Sequence, residues 1–169
     1  MDYAVNDDLH VQISTLGNYK EVVGQGILTR YRLDLQRKRA MAGTSVVKDE
    51  LRYTADHEWV RIENGNARVG ITDHAQSELT EIVFIELPKK GKKLKKGELL
   101  AQLESVKTVA SVYAPVAGEV VEVNSALEDA TQSVNESPYG EGWLAVIKMD
   151  DPASAGALLD AASYRKLLG

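Results

Sequence analysis

From Leu51 onward, short apolar-rich segments alternate with Gly, Pro and Asn punctuation, which predicts several short strands in a small sandwich or barrel. Trp59-Val60-Arg61-Ile62-Glu63 alternates apolar and polar residues, as a half-buried strand does. Asn64-Gly65 then predicts a two-residue hairpin turn, because both central positions of a type I′ turn need positive φ. Ala67 to Ile71 is the return strand. Thr72-Asp73 can cap a short helix through Ala75, Gln76 and Leu79 by accepting from its free amides. Ile82 to Leu87 reads as a strand ended by Pro88, followed by a polar loop from Lys89 to Lys93. At the C-terminal end, Asp151-Pro152 predicts an N-cap with proline at the first helical position. Leu158, Leu159, Ala161 and Ala162 supply an apolar helix face, and Ser163 caps a last turn bearing Tyr164, Leu167 and Leu168.

A short repeat joins two of these segments. Lys96-Gly97-Glu98-Leu99-Leu100 resembles Ala117-Gly118-Glu119-Val120-Val121, and each copy opens a strand. The repeat suggests two similar halves packed on each other with a special turn between them. Residues 1–50 lack this order and read as an N-terminal extension, translated from an upstream start or added to the domain. Met41-Ala42-Gly43 resembles a natural start, and the basic run Arg30, Arg32, Arg37, Lys38 and Arg39 precedes it. The extension lacks the apolar core of a secretory signal, and Asp2, Asp7 and Asp8 disfavour a transit peptide. The expected compartment is a bacterial cytoplasm, or the mitochondrial matrix in a eukaryote.

Composition narrows the chemistry. The 169 residues carry no cysteine, which removes disulfides, thiolate metal ligands and a cysteine nucleophile. Redox work would then need an attached group. His10, His57 and His74 are too scattered for a metal site. A net charge of −5 disfavours nucleic acid and anionic membranes as partners. Six lysines between Lys89 and Lys96 make a local basic run, of the sort ordinarily left in water. No nucleophile–base pair or phosphate-binding loop supports an enzyme.

One lysine stands apart. Leu103, Val106, Val109 and Val112 flank Lys107, with strand-forming residues on both sides. That pattern puts Lys107 at or near a tight turn, pushed into water. Exposed lysines often serve only solubility, but a lysine at such a tip is also open to a modifying enzyme and able to carry a swinging arm.

Glu104-Ser105-Val106-Lys107, followed by Thr108-Val109-Ala110-Ser111, resembles the lipoylation motif of glycine cleavage H proteins. So do His57-Glu58-Trp59-Val60, the stretch from Val69 to Gln76, Ile85-Glu86-Leu87-Pro88, Pro115 to Val120, and Asn135 to Leu144. The resemblance runs in order from Leu51 to Gly169. One stretch departs from it: Asp129-Ala130-Thr131-Gln132-Ser133 stands where many members carry a proline-containing turn.

The resemblance implies a mainly β barrel-sandwich hybrid of the lipoyl/biotinyl-carrier type, with short peripheral and C-terminal helices. It implies lipoate covalently attached at Lys107, within the motif Glu104, Ser105 and Val106, and Glu58 in contact with the loaded arm. The cofactor then supplies the sulfur chemistry, while the protein presents it. The implied role is a carrier, not an enzyme. It takes the aminomethyl group of glycine from glycine decarboxylase to a tetrahydrofolate-dependent aminomethyltransferase, and dihydrolipoyl dehydrogenase reoxidises the arm. A lipoate ligase or lipoyltransferase would load it. Three rivals share a hairpin lysine. A biotin carrier usually flanks it with methionines, where this chain has Val106 and Thr108. A 2-oxoacid dehydrogenase lipoyl domain places an acid directly before it. A lipoyl relay protein, which donates lipoate to other carriers, is not separated by sequence.

Overall fold

The computed structural model describes residues 45–169. The basic run from Arg30 to Arg39 and most of the extension lie outside the described residues. A compact unit spans Val46–Gly169.

Among the described residues, nine strands form two antiparallel sheets. β1 (Arg52–Tyr53), β2 (Glu58–Glu63), β3 (Asn66–Ile71), β9 (Ala145–Met149), β8 (Gly118–Val123) and β5 (Lys93–Leu94) lie side by side in that order. β4 (Ile82–Glu86), β6 (Leu99–Ser105) and β7 (Val109–Tyr113) make the second sheet. One buried cluster joins them: Val60, Val69, Ile71, Val120 and Ile147 from the larger sheet meet Ile82, Ile85, Leu103 and Val112 from the smaller. This is the mainly β barrel-sandwich arrangement expected from the sequence.

The turn chemistry behaves as the residues dictate. Asn64 and Gly65 both have positive φ, 50° and 78°, so the β2–β3 hairpin closes in two residues. Thr72 caps α1 (Asp73–Leu79), its hydroxyl accepting from the Ala75 amide. The repeat divides between the sheets, one copy opening β6 and the other β8. Their glycines serve different needs. Gly97 turns the chain at φ 85°, whereas Gly118 allows a close approach: a Cβ there would lie 2.1 Å from the Lys148 carbonyl oxygen.

The C-terminal end differs from the expected helix from Pro152 through Ala162 with a last turn capped by Ser163. Asp151 does cap a turn, a 3-10 helix over Pro152–Ala157. The chain then extends, and Leu159 exchanges two 2.8 Å backbone hydrogen bonds with Tyr53. Pairing with a strand edge satisfies Leu159's backbone outside any helix. The last helix, α3 (Ala161–Leu168), is therefore a separate element, and its cap is Asp160, accepting from Ser163 N at 2.7 Å; Ser163 is a first-turn residue.

A second buried cluster lies under α3: Leu51, Tyr53, Trp59, Tyr139, Ala161 and Tyr164. It explains why β2 begins with both faces buried at Glu58, Trp59 and Val60 before its end opens to solvent. Burial pushes the phenol pKa of Tyr53 up to about 12, and those of Tyr139 and Tyr164 upward as well. Tyr139 packs and also ties down the segment before β1, its hydroxyl donating to the Val46 carbonyl. The stretch after β8 forms a 3-10 turn (Ser125–Glu128) and a one-turn helix, α2 (Ser133–Glu136).

Candidate functional site: an exposed hairpin lysine

Lys107 sits at the tip of the β6–β7 hairpin. The register pairs Leu103 with Ala110 and Glu104 with Val109, which leaves Ser105 to Thr108 to close the turn. Ser105 organises it. The Ser105 amide donates to the Thr108 carbonyl at 2.8 Å. Its hydroxyl oxygen accepts from the amides of Lys107 at 3.3 Å and Thr108 at 3.1 Å, and the hydroxyl donates to the Thr108 carbonyl at 3.2 Å. The Val106 amide donates sideways to the Glu81 carbonyl at 3.0 Å, stitching the tip to the chain just before β4. Serine at this place is therefore a turn residue that substitutes its side chain for missing ladder bonds.

The hairpin holds its backbone while leaving Lys107 free. Val106, Lys107 and Thr108 are all exposed, and the Lys107 ammonium makes no hydrogen bond or ion pair with any described residue. An amine in this setting can be acylated without breaking any structure. That fits an amide-linked arm such as lipoate. Glu104 lies exposed on the outer face of the small sheet, level with Phe84 on one side and Val109 on the other.

Glu58 is placed elsewhere. It is only 2% exposed, and both carboxylate oxygens are engaged. The Thr54 hydroxyl donates to Oε2, and the Tyr113 amide donates to Oε1 at 3.0 Å. Burial raises its pKa above the ordinary glutamate value, while these two donors pull it back down. Tyr113 ends β7, so at about 3.3 Å of rise per residue it stands roughly 13 Å along the strand from Val109. The motif residues Glu104, Ser105, Val106 and Lys107 are thus brought together at one tip, and Glu58, on β2, lies against the far end of β7.

The turn before Glu58 is itself anchored. His57 adopts φ 69°, a conformation that needs support in a residue with a Cβ. Its Nδ1 lies 2.8 Å from the Tyr164 hydroxyl on α3, which also meets the Thr72 hydroxyl at 2.9 Å. Burial and the neighbouring His74 lower the His57 pKa. Sequence reasoning passed over Thr54, Glu81 and Tyr113 and placed Tyr164 only on the last helical turn. Three of them act through contacts distant in the chain, and no local pattern marks them. Trp59 is a core residue whose indole donates to the Pro138 carbonyl at 2.8 Å. Trp143 is half-buried, with the Arg68 guanidinium 5.1 Å from its ring centre.

Among the described residues, no group of three or more His, Cys, Asp or Glu side chains could hold a metal ion, and no helix is long and apolar enough to cross a membrane.

Two antiparallel sheets packed face to face, with Lys107 exposed at a hairpin tip and making no hydrogen bond or ion pair among the described residues, have the architecture of the lipoyl/biotinyl-carrier class. Comparison with known proteins carries this further. The family model for glycine cleavage H-proteins matches residues 51–169. The glycine cleavage system H protein of Chlorobium limicola is 59% identical over 125 residues, covering 73% of this chain and 98% of its own. The glycine cleavage system H protein 4 of Aquifex aeolicus is 52% identical, covering 73% and 72%. The crystal structure of a glycine cleavage system H protein from Mycobacterium marinum superimposes with a TM-score of 0.66 at 38% identity, covering 71% of this chain and 97% of that one. The chain belongs to the glycine cleavage H-protein family.

Proposed function

We propose that this chain is the lipoyl carrier of a glycine cleavage system and that Lys107 is the attachment residue. The observation that carries the reading is the exposed, unpaired Lys107 on a hairpin braced by Ser105 and Glu81, inside a domain matched by the family over residues 51–169. The residues before Val46 are read as an extension, whereas Val46 to Lys48 are bonded to the domain itself.

Lipoate, amide-linked at Lys107 Nζ, would supply the disulfide for the redox and group-carrying chemistry. The chain's own part is presentation. The Ser105 hydroxyl and the Glu81 carbonyl hold the turn backbone, so the tether swings from a fixed base. A tether replaces free diffusion with a high effective concentration at each docked enzyme. Glu104, Ser105 and Val106 shape the tip that the loading enzyme reads. Glu58, fixed by Thr54 and by the end of β7, supplies a carboxylate against which a cationic aminomethyl cargo is held.

The partners on this reading are a pyridoxal-phosphate glycine decarboxylase, a tetrahydrofolate-dependent aminomethyltransferase, dihydrolipoyl dehydrogenase, and a lipoate ligase or lipoyltransferase. The chain serves them as a substrate and performs no catalysis of its own. Its compartment on this reading is a bacterial cytoplasm, or the mitochondrial matrix in a eukaryote.

The test is glycine–bicarbonate exchange with purified glycine decarboxylase and the lipoylated chain as the only carrier. Exchange that depends on the chain and saturates with it supports the reading. A lipoylated chain that supports no exchange, but passes its lipoyl group to other carrier domains, would replace it with a lipoyl relay.

A further inference from the structure

The outer face of the small sheet carries exposed apolar residues that no other described residue covers. Strand alternation buries Ile85, Leu103 and the side of Ala110 facing the core, and turns the neighbouring row outward. That outward row is Phe84, Glu104 and Val109, directly paired across three strands. Phe84 is 53% exposed and Val109 56%. Val83, at the β4 irregularity, and Val106, in the turn, are equally open. The next outward row, Glu86, Gln102 and Ser111, is polar. Leu99 and Tyr113, paired at the far end of the same sheet, are also exposed, so the small sheet has two exposed apolar sites, and the Phe84–Val109 row is the one beside the Lys107 tip.

Phe84 and Val109, on either side of Glu104, with Val83 and Val106 near them, make an exposed apolar rim around the tip that a docking protein can cover. Position decides which protein. An enzyme that acylates Lys107 must bring its active site over this tip, and its rim then lands on the row beside it. We propose that Phe84 and Val109, flanking Glu104, are the docking contacts for the lipoate-attaching enzyme. Its complementary face is an apolar mouth with a basic group at the rim. Phe84 supplies the aromatic anchor of the kind that dominates protein interfaces. Glu104 and the exposed Glu81 at the edge of the patch supply the charge that a basic group on the enzyme meets. This rests on Lys107 being the lipoylated residue, and it adds how the enzyme finds it.

The test is steady-state lipoylation of the purified full chain by a bacterial lipoate ligase with lipoate and ATP, with the carrier concentration varied. Phe84→Thr and Val109→Thr keep strand-favouring residues on the exposed face. Ile62→Thr, a comparably exposed apolar position on the other sheet, is the control. Each variant is first checked by far-UV circular dichroism and a urea melt, so that a folding defect is recognised. The KM for the carrier is expected to rise on the order of tenfold for Phe84→Thr, and less for Val109→Thr, from the apolar area no longer buried on docking. The kcat at saturation and the Ile62→Thr kinetics stay at the wild-type level. Wild-type loading with folded Phe84→Thr and Val109→Thr variants within twofold of it in KM would overturn the docking proposal while leaving Lys107 as carrier. Failure of the wild-type chain to load at all would instead overturn the carrier reading on which the proposal rests.

Discussion

Replacing Ser105 with alanine tests how the tip is held. The hydroxyl oxygen accepts from two amides, Lys107 and Thr108, and donates to one carbonyl. All three bonds are exposed, so water takes over each group once the hydroxyl is gone. The net loss is then about 1 kcal/mol in all, not the sum of three isolated bonds. Because the bonds are local, the free energy of opening the turn falls by that amount. The Lys107 and Thr108 amides should exchange with solvent roughly fivefold to tenfold faster, as a change of about 1 to 1.4 kcal/mol requires. The Val106 amide, bonded to Glu81, should change little. Global stability falls by at most the same amount, about 4 °C in Tm for a domain of this size. Residue-resolved hydrogen exchange measures both. Unchanged exchange at Lys107 and Thr108 would refute the assignment of Ser105 as the brace. Equal acceleration across the whole hairpin would show that the tip opens only with its strands.

Three further outcomes follow from the packing. Gly118→Ala puts a Cβ against the Lys148 carbonyl and within 2.7 Å of Ile147 Cγ2; a clash with backbone should cost about 2 kcal/mol or more, read as a lower urea midpoint, and a wild-type midpoint would contradict the β8–β9 geometry. Tyr164→Phe removes a hydroxyl shared by His57 and the fully buried Thr72. The expected loss is about 1 to 3 kcal/mol, reduced when Thr72→Val is made as well; additive losses would show the two groups are not coupled. For Glu58 the folded pKa lies above the ordinary 4.5, chiefly through burial. The stability it contributes is fully present below that value and is lost as pH rises through the folded pKa. The stability of Glu58→Gln relative to wild type should therefore grow from pH 4 toward neutrality and then level off; urea melts across that range showing a flat or falling difference would reverse the sign.

Much of the fold was legible because its signals are local. Asn64-Gly65 needs positive φ at two positions, and Thr72 needs only the amide three residues on. Either can be read without knowing what packs nearby. The hairpin around Lys107 was legible for the same reason, since apolar spacing on both sides left only the tip for the lysine. Where long-range contacts decide, the sequence pattern was insufficient. Leu159 looks helical by spacing, yet the free edge of Tyr53 draws it into a bridge, and the cap passes to Asp160. Ile62 continues an alternating strand but ends 40% exposed, although Ala67 opposite it is buried. Nothing local marks Glu58 as buried, for its burial depends on the end of β7 and the turn held by Tyr164. The two copies of the repeat look alike but meet different demands, a positive φ at Gly97 and a close strand contact at Gly118.

The most direct measurement of the central claim is the intact mass of the full chain after reaction with lipoate and a lipoate ligase, beside a Lys107→Arg control, with the modified peptide mapped. The account predicts one lipoyl increment, located on Lys107 and absent from the control. A chain that stays unmodified where a known carrier is loaded, an increment on another lysine, or a biotin increment in its place under biotinylating conditions, would contradict it.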